Sequence, residues 1–246
     1  MIISHKFSTL RHYTNVGFLM KILEGNRLKF SNGLDKGYSA GDDAWDDQND
    51  VMTLNLYKEI TDITPLVICF THTISIHHWE YYGKTGNFEN DDKVKCAIVF
   101  DYQKFKNLIE NYRTRNNLNL ILKMVRYISE KDLKHTIIDK EELPFTKKYG
   151  FNVDKEERLV LFTANDKQDY FLPGIISCIS NIVIYAKGAN RNVVINRIKE
   201  RITATVPQLK GKIQRSNLCD SETWQKKLRN QSKKLSTKIN HKIKLL

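Results

Sequence analysis

The sequence predicts an α+β fold whose later body is dominated by strands and whose C-terminal extension is basic and helical. Three observations predict it. Short, β-branched apolar runs at 65–71 (PLVICFT), 96–101 (CAIVFD) and 181–186 (NIVIYA) have the length and composition of buried strands. Between them lie stretches whose apolar residues recur three and four apart, as on one face of a helix. The excess of positive charge is confined to the end of the chain: of 40 Lys and Arg and 28 Asp and Glu, residues 187–246 hold 16 and 3, leaving 24 against 25 in the body.

Taken in order, residues 15–25 (NVGFLMKILEG) predict a helix, with Thr14 or Asn15 available as its cap and Gly25 placed to stop it. Residues 27–31 (RLKFS) alternate and run into Asn32-Gly33, a strand meeting a turn. A long acidic loop follows over 34–50. After the strands at 65–71 and 96–101, the spacing of Phe105, Leu108, Ile109 and Tyr112 predicts a helix over 102–112, and a similar spacing predicts another over 118–128. Strands are expected again at 157–163, 169–172 and 181–186, then a helix over 190–201. The expected division is a catalytic domain at 1–202 and a basic extension at 203–246, in which Trp224, Leu228, Leu235 and Ile239 suggest a weakly amphipathic helix.

No apolar stretch approaches the length of a membrane span, and the N-terminus lacks a basic-then-apolar signal pattern, so a soluble, cytoplasmic protein is expected. The four cysteines, Cys69, Cys96, Cys178 and Cys219, are widely spaced and predict neither a disulfide framework nor a zinc site. The run from Asp42 to Asp47 lacks the regular ligand spacing and glycine of a calcium loop and is expected to be solvated, so no metal is predicted. A basic tail on a near-neutral body is the footprint of a phosphate-backbone partner, because each neutralised phosphate releases counterions.

Three segments carry candidate chemistry. His12, in Arg11-His12-Tyr13-Thr14, precedes a helix and can donate to a ribose hydroxyl. The aromatic segment Trp79-Glu80-Tyr81-Tyr82 offers rings for stacking on a flat heterocycle. Lys155-Glu156-Glu157-Arg158 opens a strand, so its two carboxylates point to opposite faces and one alone can look into a cleft.

Together these segments resemble a widespread bacterial family. Its members begin with His-Tyr-Thr and a helix, and continue with a Cys-Phe-Ser-like strand, a Trp-x-x-Tyr segment and a Gly-x-Cys-Ile-x-Phe-Asp-like strand. A Lys-Glu-Trp-Arg motif then opens a late strand. Here the matching residues are His12-Tyr13-Thr14, Cys69-Phe70-Thr71, Trp79 to Tyr82, Lys95 to Asp101, and Lys155-Glu156-Glu157-Arg158, within residues 8–190. The family looks like an outlying branch of the ADP-ribosyltransferases, the His-Tyr-Glu class.

That resemblance implies a split β core flanked by helices and NAD⁺ as co-substrate. His12 would hold the nicotinamide ribose, Tyr82 would stack on the nicotinamide or its ribose, and Glu156 would orient the ribose and activate the attacking group. Tyr13 and Thr14 would belong to the same NAD⁺ site, and Arg158 or Arg11 would meet the pyrophosphate. Glu157 stands where the family has tryptophan, which leaves Glu156 preferred but Glu157 open as the cleft carboxylate. The expected acceptor is a nucleobase, in RNA before single-stranded DNA, for a toxin acting in phage defence and restrained by an antitoxin. Two other readings are a protein-modifying or NAD⁺-hydrolysing enzyme whose tail docks an antitoxin, and a non-catalytic nucleic-acid-binding module.

Overall fold

The computed structural model describes residues 8–32, 48–74, 79, 90–165, 168–186 and 190–217, with 48–53 and 55 described by backbone alone. In chain order the elements are β1 (Thr9–Asn15), α1 (Val16–Gly25), β2 (Arg27–Lys29), β3 (Ser31–Asn32), α2 (Gln48–Thr61), β4 (Thr64–Thr71) and β5 (Lys95–Asp101). There follow α3 (Tyr102–Asn116), β6 (Leu120–Met124), β7 (Arg126–Ile128), α4 (Glu130–Leu133), β8 (Thr146–Lys148) and β9 (Glu156–Thr163). The last elements are β10 (Phe171–Pro173), β11 (Ile179–Tyr185), α5 (Arg191–Thr205) and β12 (Ile213–Arg215). The fold is α+β: a main sheet ordered β12-β11-β5-β1-β4-β9-β6, with β3 also paired to β4, flanked by helices.

Local chemistry sets the element ends. The Asn15 side chain accepts from the Phe18 backbone N–H at 2.9 Å and starts α1. The stop falls just past Gly25, where Asn26 takes a left-handed conformation at φ 47° and bonds back to the last turn, a geometry that asparagine tolerates better than most residues. Asp101 caps α3 in the same way through the Lys104 N–H.

The helix expected over 118–128 is instead two strands. Leu118, Leu120 and Leu122 satisfy a period of two as readily as a helical one, and Asn117, at φ 49°, ends α3 just before them. The following residues pair with the otherwise open edge of β9, from Leu120 opposite Leu161 to Met124 opposite Glu157. Tertiary hydrogen bonding decides between two patterns the sequence allows. Helix α2 begins inside the expected loop, at Gln48, and its Leu54 and Tyr57 pack on Val67, Val160 and Phe162.

The expected boundary after residue 202 falls within α5. Beyond it, β12 joins the main sheet in parallel with β11, so the body extends through Arg215. Residues 218–246 lie outside the described residues, as does the acidic run 42–47. Among the described residues, no helix is long and apolar enough to cross a membrane.

The sheet has two unlike faces. One is covered by helices: Leu10, Ile68, Phe70, Ile98 and Leu159 pack against Leu19 and Leu23 of α1, Phe105 and Ile109 of α3, and Ile198 and Ile202 of α5. Each such fully buried side chain is worth about 2 kcal/mol relative to exposure. The other face carries smaller apolar clusters and, between them, the polar residues of interest.

Candidate active site

Strand alternation assembles the site. Arg11 on β1 pairs with Thr71 on β4, and Thr71 pairs with Glu156 on β9. Directly paired residues project from the same face, so a guanidinium, a hydroxyl and a carboxylate lie in one row across three strands. Two residues along, on that same face, come Tyr13 from β1 and the paired Cys69 and Arg158 from β4 and β9. His12 and Glu157 fall on the helix-covered face.

Glu156 is 2% exposed and enclosed by cations. Arg158 Nε donates to Oε1 at 2.7 Å and Nη2 to Oε2 at 3.3 Å, while Lys147 Nζ donates to Oε2 at 3.2 Å. Lys147 also reaches Asp154 at 3.4 Å, and Arg158 Nη1 donates to the Pro144 carbonyl at 2.9 Å. Burial by itself raises the Glu156 carboxyl, but Arg158 and Lys147, with the Cys69 thiol, outweigh it and hold it at about 2.

The linkage has a definite sign. A carboxyl held below its ordinary 4.5 contributes stability above that value and loses it as pH falls towards about 2. Denaturant titrations of the wild type and Glu156→Gln should therefore show a stability gap that is constant above pH 4.5 and closes between 4.5 and about 2. A gap independent of pH across that window would show that the carboxylate charge adds nothing to the fold.

Arg11 sits at the other end of the row. Its Nη1 donates to the His72 carbonyl at 2.7 Å, but its buried Nε has no partner among the described residues. The buried indole Nε1 of Trp79 is also without one. Trp79 stacks on Tyr185 at 4.9 Å and meets Tyr13 edge-on at 4.8 Å, and Lys95 donates to its carbonyl. The Thr71 and Thr73 hydroxyls lie 3.2 Å apart, and Thr71 also donates to the Asp154 carbonyl. An unpaired buried N–H costs about 1–3 kcal/mol, so two such donors beside aromatic rings suit a ligand rich in anionic or carbonyl oxygens. NAD⁺ fits that donor set.

No family model matches the chain, and no curated protein matches it. Solved structures give a likeness. The chain is similar to DarT of Thermus sp. 2.9. The complex with NAD⁺ is 13% identical, covers 86% of this chain and 96% of that one, and has a TM-score of 0.36. The complex with ADP-ribosylated ssDNA is 12% identical over 86% and 95%, at 0.37, and that with carba-NAD⁺ is 12% identical over 85% and 95%, at 0.33.

The residues singled out from sequence are distributed unevenly. His12 and Glu156 do not share a face, because they stand at opposite parity across β1, β4 and β9. His12 Nδ1 donates to the Cys69 carbonyl at 3.0 Å and its ring packs 5.7 Å from Phe70; burial lowers its pKa and favours the neutral imidazole. Thr14, opposite Cys96, projects with His12, whereas Tyr13 projects with the Glu156 row. Tyr82 lies outside the described residues. The pyrophosphate role expected of Arg158 is corrected: the side chain is fully buried and committed to Glu156 and Pro144, which leaves Arg11 as the available guanidinium. Glu157, the alternative carboxylate, is 3% exposed and faces His72 and Tyr102. Sequence reasoning gave Thr71 only as part of the Cys69-Phe70-Thr71 motif, with no role, and missed His72, Lys147 and Tyr102. The parity of Arg11 with Tyr13 pointed to the row, but nothing local marked Lys147, which arrives from a different strand.

Proposed function

We propose that the chain is an NAD⁺-dependent ADP-ribosyltransferase whose acceptor is a nucleobase in single-stranded nucleic acid, RNA before DNA. The observation that carries this reading is the Arg11–Thr71–Glu156 row, with two buried donors on its face that have no partner among the described residues. NAD⁺, when bound, supplies the ADP-ribosyl group and a departing nicotinamide. Arg11 and Trp79 offer donors to its oxygens, Tyr13 provides an aromatic wall, and Tyr82 is assigned to stack on the nicotinamide. Glu156, fixed as an anion, stabilises the positive charge that develops at the ribose. With its carboxyl at about 2 it is a weak base, so its contribution is electrostatic before it is proton transfer. Because Glu156 is 2% exposed, the proposal requires ligand binding to uncover it. His12 supports the row from behind by holding the Cys69 carbonyl.

The basic excess of residues 187–246 is assigned to the nucleic-acid backbone, and the tail also offers an acidic antitoxin a handle for restraining a cytoplasmic toxin in phage defence. The test follows labelled NAD⁺ added with total RNA, denatured DNA or lysate protein. Label on RNA or DNA supports the proposal, and its location separates the two acceptors. Label on protein alone, or neither label nor NAD⁺ cleavage, sinks it. Activity on nucleic acid should also fall steeply with salt, by a slope of about −0.7 in log–log terms per phosphate contacted on a single strand. A flat salt response would remove the tail from substrate binding.

A further inference from the structure

His72 follows Thr71 at the end of β4, and no sequence motif pointed to it. Its imidazole is fully buried. Nδ1 donates to the Thr9 carbonyl at 3.0 Å, and Nε2 lies 2.7 Å from Glu157 Oε2. The Tyr102 hydroxyl donates to the other oxygen, Oε1, at 2.9 Å, and the Tyr102 ring meets His72 edge-on at 5.5 Å. One side chain therefore ties the start of β1 to the start of β9 across the end of the strand between them, with α3 closing the arrangement.

The His72 backbone acts on the row itself. Its carbonyl accepts from Arg11 Nη1 at 2.7 Å, and its N–H donates to the Lys155 carbonyl at 3.3 Å. Lys155 has a left-handed backbone, φ 46°, and Glu156 follows it. Arg11 and Glu156 stand on strands that do not pair with each other, so their separation depends on how β1 and β9 slide relative to β4. His72 touches both sides of that slide, through its side chain and through its peptide.

We infer that His72, oriented by Glu157 and Tyr102, is the positioning residue that sets Arg11 and Glu156 at their working separation for ADP-ribosyl transfer, an inference that rests on the function proposed above. It also gives Glu157 a task without placing it in the cleft. The polar set buried on the helix-covered face is the frame of the row on the other face. Misplacing reacting groups by about 1 Å costs on the order of a hundredfold in rate, so a frame of this kind is felt in turnover more than in stability.

Two substitutions divide the contacts of His72. In His72→Asn the amide can still donate towards Thr9 but no longer reaches Glu157; in His72→Gln it can reach Glu157 while losing Thr9. His72→Asn should lower kcat by on the order of a hundredfold per folded molecule and raise KM for NAD⁺, with His72→Gln recovering most of the loss. A crystal structure of His72→Asn should show the Arg11 guanidinium detached from the residue-72 carbonyl. Wild-type kcat and KM in His72→Asn with Arg11 and Glu156 in place, or a lowered Tm with unchanged kcat per folded molecule, would overturn the inference. A wild type that transfers nothing would sink the activity instead, since the displacement of Arg11 is still read in the crystal.

Discussion

Glu156→Gln is expected to reduce ADP-ribosyl transfer by on the order of a hundredfold or more while leaving NAD⁺ binding nearly intact, as loss of a transition-state charge does. The isosteric amide keeps an oxygen for Arg158 or Lys147 but removes the negative charge that both cations enclose. The measurement is single-turnover transfer with the dissociation constant for NAD⁺ measured separately, at a temperature where melting curves show the variant folded. Unchanged turnover would remove Glu156 from the chemistry without transferring its role to Glu157, which faces His72 and Tyr102 on the other side of the sheet. Loss of NAD⁺ binding in parallel with turnover would mean that Glu156 acts in the ground state.

Arg158→Met is expected to be the most destabilising single substitution at the site, at about 3–5 kcal/mol, because it removes the guanidinium from a buried carboxylate and leaves it the Lys147 ammonium, which is shared with Asp154. Methionine fills most of the volume, so the loss reports charge and hydrogen bonding rather than a cavity. Denaturant unfolding gives the number, and the double variant with Glu156→Gln gives the coupling. The double variant should cost clearly less than the two singles added together, since removing both partners leaves no uncompensated charge between them. Additive costs would show that Arg158 contributes by packing and by its bond to the Pro144 carbonyl.

Much of the framework is legible in the residues because it is local. The run PLVICFT lies within β4, CAIVFD within β5 and NIVIYA mostly within β11, since apolar β-branched runs of that length bury on both faces of a central strand. The opposed directions of Glu156 and Glu157 follow from alternation alone. Residues 118–128 show the limit. Their leucines fit a helix and a strand equally, and the choice belongs to the β9 edge, which no window of sequence around them contains.

The site follows the same division. Sequence by itself determined that a helix follows His12, that the segments around Cys69 and Glu156 are strands, and that one of two adjacent carboxylates faces each way; that His12 itself lies on a strand, β1, came from the tertiary structure. Tertiary structure alone decided the register: Arg11 and Tyr13, not His12, share a face with Glu156, and Arg158 is a buried partner of that carboxylate rather than a ligand group. It also decided that Lys147 and His72 frame the row from opposite faces. The physical reason is that alternation within a strand is a local property with a period of two, whereas register between strands is set by long-range hydrogen bonds and burial, and a slip of one residue turns every side chain to the other face.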